Sequence, residues 1–371
     1  MSVAVSAVMS SVSSEAVSDV VSDVVSNVVS DVVSNTVNEA RNDAKSHAKR
    51  AAMSDAIDAA RRIVRRHMPP TPQQRWPLLD ARVGAEVWVK HENHTPVGAF
   101  KLRGGLVYID ALLRRMPDCR GVIAATRGNH GQSIAFAARL QGLHCTIVVP
   151  LCNAAEKNAA LRALGAELIV HGDDFQAARE HAAALAMARD LHMVPSFHDD
   201  LVNGVATYWV EFFESFAPGN APDVVFVPIG QGSGICACAW ARSHTGVATR
   251  IVGVVSAHAP AYLQSFRSGT ATEAPVTTVL ADGLACRVPD RQALAIIQSE
   301  VDDIVAVTDD EVAAAMRALF ADTHNVAEGA GAAALAAVMQ QRTRWAGKRL
   351  GITLSGGNVD SVVFAGVLAD A

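Results

Sequence analysis

Lys101 stands in the stretch GAFKLRGG (residues 98–105), between a phenylalanine and a Leu-Arg-Gly-Gly run that reads as a turn. A lysine that serves only solubility has no need of such small, apolar company. A lysine that must bond a carbonyl carbon does, because an apolar pocket beside Phe100 favours the uncharged, nucleophilic amine. A second stretch, VVFVPIGQGSGICA (residues 224–237), runs an apolar strand into Gly230, Gln231, Gly232, Ser233 and Gly234. Glycines so close together let successive backbone N–H groups turn toward one anion, and Ser233 can add a hydroxyl. The loop lacks the Gly-Lys-Ser/Thr ending of a P-loop and the spacing of a dinucleotide fingerprint. Taken alone, it is a phosphate seat or merely a tight connection.

The elements that must position these residues alternate. EVWVKHE, GVIAAT, CTIVVP, ELIVHG, DVVFVPIG, RIVGVVS and LGITLSGG read as short apolar strands. GLVYIDALLRRM, QSIAFAARLQG and AAEKNAALRALG read as helices between them. The alternation predicts an α/β protein with mostly parallel sheet flanked by helices. Ligands in such sheets sit where loops leave the carboxyl ends of strands. Three strands here end in glycine-bearing loops, ATRGNHG, PIGQGSG and SGGN, so the site is expected where those loops meet. A phosphate seat without the rest of a nucleotide, together with a bonding lysine, fits pyridoxal phosphate.

Bulk properties narrow the remaining classes. A chain of 371 residues suggests two domains at about 150 residues each. Half the residues are hydrophobic but only 5% are aromatic, which disfavours an aromatic-rich β-sandwich. The formal charge of -5 argues against a nucleic-acid partner. Among the six cysteines the only close pair, Cys236 and Cys238, lacks a partner pair at zinc spacing, and no HExxH cluster occurs, so no metal is expected. No signal peptide is visible, and reduced thiols in a cytoplasm are the expectation. Residues 1–49 are set apart as a low-complexity tail. Within it VSDVVSDVVSNVVSDVVSNTV (17–37) repeats every four residues, too polar for a membrane span and expected to be disordered or transiently helical. SDAIDAARRIVRR (54–66) carries apolar residues at helical spacing, and the prolines of MPPTPQQRWP end that helix.

Five stretches occur in order: HENHTPVGAFKLRGG, AATRGNHGQSIAFAARLQG, VPIGQGSG, TVLADGLACRVP and LSGGN. Together they resemble the fold-type II pyridoxal-phosphate enzymes, specifically the serine/threonine dehydratase and serine racemase group, over about residues 55–365. The resemblance implies a tryptophan synthase β-like fold of two lobes. Residues 50–119 and 196–371 would form the large cofactor-binding domain, and 120–195 a small domain carrying the asparagine loop. It implies pyridoxal 5′-phosphate held by Phe100, Lys101, Asn129, Gly230, Gln231, Gly232, Ser233, Gly234 and Ser355. Lys101 matches the lysine that forms the Schiff base and serves as catalytic base. Asn129 matches the asparagine bonded to the cofactor's phenolic oxygen. Ser355 matches the residue facing the pyridine nitrogen, unless it only caps the following turn. Thr126, Arg127, Gly128, Asn129 and His130 match the segment that receives the substrate carboxylate. The implied activity is elimination of the β-hydroxyl of a small amino acid of the L-threonine or L-serine type, giving a 2-oxo acid and ammonia. A homodimer follows by the same analogy.

Several positions depart from the group's pattern. Arg127 stands where a serine is common, and in the racemase that serine carries the second proton; a guanidinium cannot replace it. Racemisation is thereby disfavoured, and a second carboxylate becomes a candidate ligand, since arginine grips carboxylates with two parallel bonds. Arg127 paired with a protein acid, or turned to solvent, is the alternative. Gln231 and Ser233 interrupt the usual glycine run, and Val255 stands where metal-dependent relatives carry a glutamate. Glu328 either reaches the site or starts a helix, and Cys286 either lines the site or is a buried small residue. The chain ends soon after SGGN, so feedback control by a C-terminal regulatory domain is not expected. A dehydratase of 3-hydroxyaspartate or phenylserine, an amino-acid racemase, a β-replacement synthase and a non-enzymatic scaffold remain the other readings.

Overall fold

The computed structural model describes residue 48 and residues 50–370; the valine–serine repeat lies outside the described residues. The described residues of the unit Met1–Met53 are helical, and the unit Ser54–Ala371 holds two sheets. Strands are numbered in chain order. The larger sheet runs β1 (Gln73–Arg75), β2 (Glu86–His91), β10 (Arg349–Leu354), β7 (Val224–Pro228), β8 (Arg250–Ser256), β9 (Asp303–Val307). Only its β1–β2 pair is antiparallel. The smaller sheet is parallel throughout and runs β5 (Glu167–Val170), β4 (His144–Val149), β3 (Gly121–Ala125), β6 (His192–Met193). The molecule is thus an α/β protein of mostly parallel sheets flanked by helices.

The central strands explain this architecture. Every residue of β3 is buried, as are the first four of β7 and the last six of β8. Strands apolar on both faces must be covered on both, which helices do in parallel sheets. Three strands escape the sequence pattern, the two-residue β6 among them. β1 lies inside the proline-rich stop and is only three residues long, formed by pairing onto the edge of β2. β9 is partly exposed at the far edge of the sheet, so its apolar signal is weak.

Residues 102–105 are not a turn. They continue the helix Lys101–Arg115 from its first residue. The two glycines belong there because neighbouring helices approach too closely for a side chain. A Cβ on Gly105 would stand 2.2 Å from Ser133 Oγ on the helix Asn129–Leu140. On the other side, a Cβ on Gly204 of the helix Asp199–Glu214 would stand 2.3 Å from the Arg103 carbonyl oxygen.

A buried ionic cluster backs this helix. Arg103, fully buried, donates to Glu92 Oε2 at 2.7 Å and to Glu211 Oε2 at 2.9 Å, while Lys90 Nζ donates to the same Glu211 oxygen at 2.8 Å. Burial opposes charge on Glu211, yet Arg103 and Lys90 hold its carboxyl down at about 2. Two cations and two anions balance, which is the condition for tolerating buried charge. Among the described residues no helix is long and apolar enough to cross a membrane.

A Gly204→Ala substitution meets backbone rather than a flexible side chain. It should cost about 1–3 kcal/mol of stability, read as a lower urea midpoint. An unchanged midpoint would mean that the two helices are not packed this closely.

Candidate active site

Loops from the carboxyl ends of β3, β7 and β10 meet the start of the Lys101–Arg115 helix at one cavity. Phe100, Lys101, residues 126–130, residues 230–234 and Ser355 all line it. Backbone bonds lace the lysine segment to the end of β10. Phe100 N–H donates to the Ser355 carbonyl at 3.0 Å, and Gly357 N–H donates to Gly98 at 2.9 Å. Ser133 Oγ then donates to the Lys101 carbonyl at 2.6 Å, tying the asparagine-loop helix to the same point.

Lys101 Nζ donates to Ser233 Oγ at 2.8 Å and lies 4.9 Å from the Phe100 ring centre. No carboxylate lies within ion-pair distance of it among the described residues. Burial pushes its pKa down to about 8, with the more distant Glu328 carboxylate opposing the shift. Near neutrality a usable fraction of this amine is therefore uncharged.

The loop after β7 differs from its expected form in one respect: Ser233 and Gly234 already belong to the helix Ser233–Thr245. Gly232 precedes that helix with φ 96°, and a Cβ there would stand 2.6 Å from Ala293 Cβ, so glycine is required. The backbone N–H groups of residues 230–234 have no hydrogen-bond partner among the described residues. Unpaired donors at a helix N-terminus form an anion seat.

The loop after β3 presents a second set. Thr126 Oγ1 accepts from Gly128 N–H at 2.9 Å and Gly131 N–H at 3.3 Å, so this hydroxyl is committed to shaping the loop. The N–H groups of Arg127, Asn129 and His130 remain unpartnered among the described residues. The Asn129 amide donates to Glu328 Oε1 at 2.5 Å and accepts from Asn358 Nδ2 at 2.8 Å, which fixes its orientation. His130 has an unpartnered buried Nε2, and burial followed by the nearby Lys101 charge lowers its pKa to about 3. Its imidazole is neutral at working pH. Ser355 Oγ makes only a long 3.5 Å contact with the Ala330 carbonyl, leaving the hydroxyl available.

Lys157, Asp282 and Glu328 complete the polar wall. Glu328 begins the helix Gly329–Gln340, but its side chain makes no capping bond and turns into the cavity. Its carboxylate lies 3.2 Å from Lys157 Nζ, which also donates to Asp282 at 2.8 Å. Burial opposes charge on Lys157, but Glu328 and Asp282 more than offset it, and its pKa is raised. Burial lifts Glu328 above the ordinary carboxylate range against the pull of Lys157. Lys157 lies outside the stretches that carry the resemblance, and Asp282, although inside TVLADGLACRVP, was not singled out there; their pairing arises only from folding. Cys286 is buried, donates to the Val288 carbonyl and is not itself among the residues lining the cavity.

These residues fit pyridoxal phosphate by their donor chemistry. An amine able to lose its proton, a cluster of free N–H groups for a phosphate and an uncommitted hydroxyl surround one space. The comparisons agree. The family model described as pyridoxal-phosphate dependent enzyme matches residues 64–356. An L-threonine ammonia-lyase of Geobacter sulfurreducens is 36% identical over 312 residues, 83% of this chain and 75% of that protein. An L-threo-3-hydroxyaspartate ammonia-lyase of Saccharomyces cerevisiae is 32% identical over 316 residues, 85% of this chain and 95% of that protein. The solved structure of processed threonine deaminase isoform 2 from Solanum lycopersicum superposes with a TM-score of 0.79 at 26% identity, covering 87% of this chain and 93% of that one.

The lowered Lys101 pKa has a stability consequence. Between about 8 and the ordinary lysine value of 10.5, the unfolded chain holds a proton on this amine that the folded chain has lost. Stability rises with pH wherever the unfolded state binds more protons. Cofactor-free protein should therefore gain stability from Lys101 as pH climbs through that window, and Lys101→Met should lack this component in urea titrations. Parallel pH profiles for the two proteins would contradict the assignment.

Proposed function

Because the chain belongs to the pyridoxal-phosphate dependent enzymes, we propose that it removes the β-hydroxyl of a small hydroxy amino acid, releasing a 2-oxo acid and ammonia. The observation that carries this reading is Lys101, a desolvated amine without a carboxylate partner, in the same cavity as the free N–H groups of residues 230–234. Pyridoxal phosphate, when bound, supplies an electron sink for charge developing at the substrate α-carbon.

The protein's part is placement and proton transfer. The N–H groups at residues 230–234 would hold its phosphate, Lys101 would supply the amine for its carbonyl carbon, and Asn129 and Ser355 would orient its ring. The free N–H groups of residues 127, 129 and 130 receive the substrate α-carboxylate. Lys101 Nζ would take the proton from the substrate α-carbon as general base. A serine hydroxyl at position 355 does not enforce a proton on the ring nitrogen as a carboxylate would, which suits prompt loss of the β-hydroxyl. Arg127, permanently charged, offers no proton carrier on the opposite face, and this favours elimination over racemisation.

We take residues 120–195 as the small domain that carries the asparagine loop, and the remainder from residue 50 as the large one. Closure of the former over the substrate would exclude water. A homodimer in a reducing cytoplasm completes the reading, in keeping with six free cysteines. Sedimentation at the monomer mass would contradict the dimer.

The test is 2-oxo acid release by the cofactor-loaded protein from L-threonine, L-serine and related β-hydroxy amino acids. Lys101→Ala should lower the rate by about a thousandfold or more. Equal release by the variant would remove Lys101 from the chemistry.

A further inference from the structure

Among the charged side chains lining the cavity, only Arg127 makes neither a hydrogen bond nor an ion pair among the described residues. Asp282 and Glu328 are engaged by Lys157, at 2.8 and 3.2 Å, and Glu328 is engaged by Asn129 as well. Arg127 makes no hydrogen bond and no ion pair among the described residues, and its Nε is buried without a partner. Its behaviour contrasts with Arg61, Arg75, Arg82 and Arg103, each of which meets a carboxylate at 2.6–2.7 Å. The residue is only half-buried, yet it lines the cavity rather than bare solvent. A buried guanidinium N–H without an acceptor costs free energy, since its hydration is lost and nothing replaces it. Such a group is compensated when a ligand supplies the acceptor.

The position of Arg127 limits what that ligand is. It sits directly beside the free N–H groups of residues 129 and 130, at the N-terminus of the Asn129–Leu140 helix. The phosphate donors belong to a different loop, after β7, at the start of a different helix. Arg127 is thus placed with the substrate-carboxylate donors and not with the phosphate donors.

We propose that Arg127 is a specificity-determining residue that binds a second carboxylate, so that the preferred substrate class is β-hydroxy dicarboxylic amino acids. This rests on the elimination reading above. The planar fork of the guanidinium accepts a carboxylate through two parallel N–H···O bonds. The smallest molecule with an α-amino acid, a β-hydroxyl and a second carboxylate is 3-hydroxyaspartate. A methyl group in its place, as in threonine, leaves the guanidinium unpaired, and sites built for a polar group discriminate strongly against analogues that lack it.

The experiment has two arms, both on the cofactor-loaded enzyme. The first measures kcat/KM for L-threo- and L-erythro-3-hydroxyaspartate and for L-threonine, in the wild type, Arg127→Ser and Arg127→Lys. The second measures calorimetric binding of two ligands that cannot lose a hydroxyl, L-aspartate and L-2-aminobutyrate. The wild type should favour a dicarboxylate by about a hundredfold in the first arm and at least about tenfold in the second. Arg127→Ser should collapse both ratios, whatever its absolute rates, and Arg127→Lys should leave them intermediate because the charge survives without the fork.

Ratios unchanged by substitution, or no dicarboxylate preference in the wild type, would overturn the proposal. So would an Arg127→Ser protein that keeps its ratios but loses affinity for pyridoxal phosphate, since that would put Arg127 on the phosphate. No 2-oxo acid from any substrate, with the binding preference intact and dependent on Arg127, would defeat the elimination reading and with it the β-hydroxy substrate class, while Arg127 would keep its role as the second-carboxylate ligand. Release from L-threonine without any dicarboxylate preference would do the reverse.

Discussion

Glu328 shares its carboxylate between Asn129 Nδ2 at 2.5 Å and Lys157 Nζ at 3.2 Å, and this buried contact determines how charge is distributed in the cavity. It joins the start of the helix Gly329–Gln340 to the first residue of the helix Asn129–Leu140 and to the helix Ala155–Ala163. Lys157, already paired with Asp282, is held in its charged form. Lys101 is left with only a serine hydroxyl and an aromatic face, so burial lowers its pKa against the weaker pull of the more distant Glu328. Two lysines line one cavity and are made chemically unlike by the allocation of two carboxylates. The account of the chemistry depends on that inequality.

Placement of Lys101 depends in turn on close helix packing. Its helix is gripped on one side through Ser133 and on the other by the Asp199–Glu214 helix, at distances that exclude side chains on Gly105 and Gly204. The charge-balanced cluster of Lys90, Glu92, Arg103 and Glu211 fills the space behind. The front of the helix is laced through backbone bonds to Ser355 and Gly357. A reacting amine on the first residue of a helix so held has little freedom to wander, which is what a positioned base requires.

Much of this was legible in the residues themselves. Strands apolar on both faces announced parallel sheet, and three glycine loops at strand ends located the site. Lys101 and the residue 230–234 loop were visible because their types are unusual for their surroundings, and Asn129 through the resemblance that its stretch carries. Other features depend on distance rather than pattern. Lys157 and Asp282 are 125 residues apart and meet only after folding. The glycines after Lys101 suggested a turn, because sequence displays their flexibility and hides the neighbouring helices that make a side chain impossible. Glu328 was readable as a helix start or as a cavity residue, and only the direction of its side chain separates the two.

Lys101, and not Lys157, is expected to be the amine that bonds the cofactor. Borohydride reduction of the pyridoxal-phosphate-loaded protein, followed by proteolysis and mass mapping, tests it directly. The added pyridoxyl mass is expected on the peptide containing Lys101 alone. Label on Lys157, or none on either lysine, would contradict it.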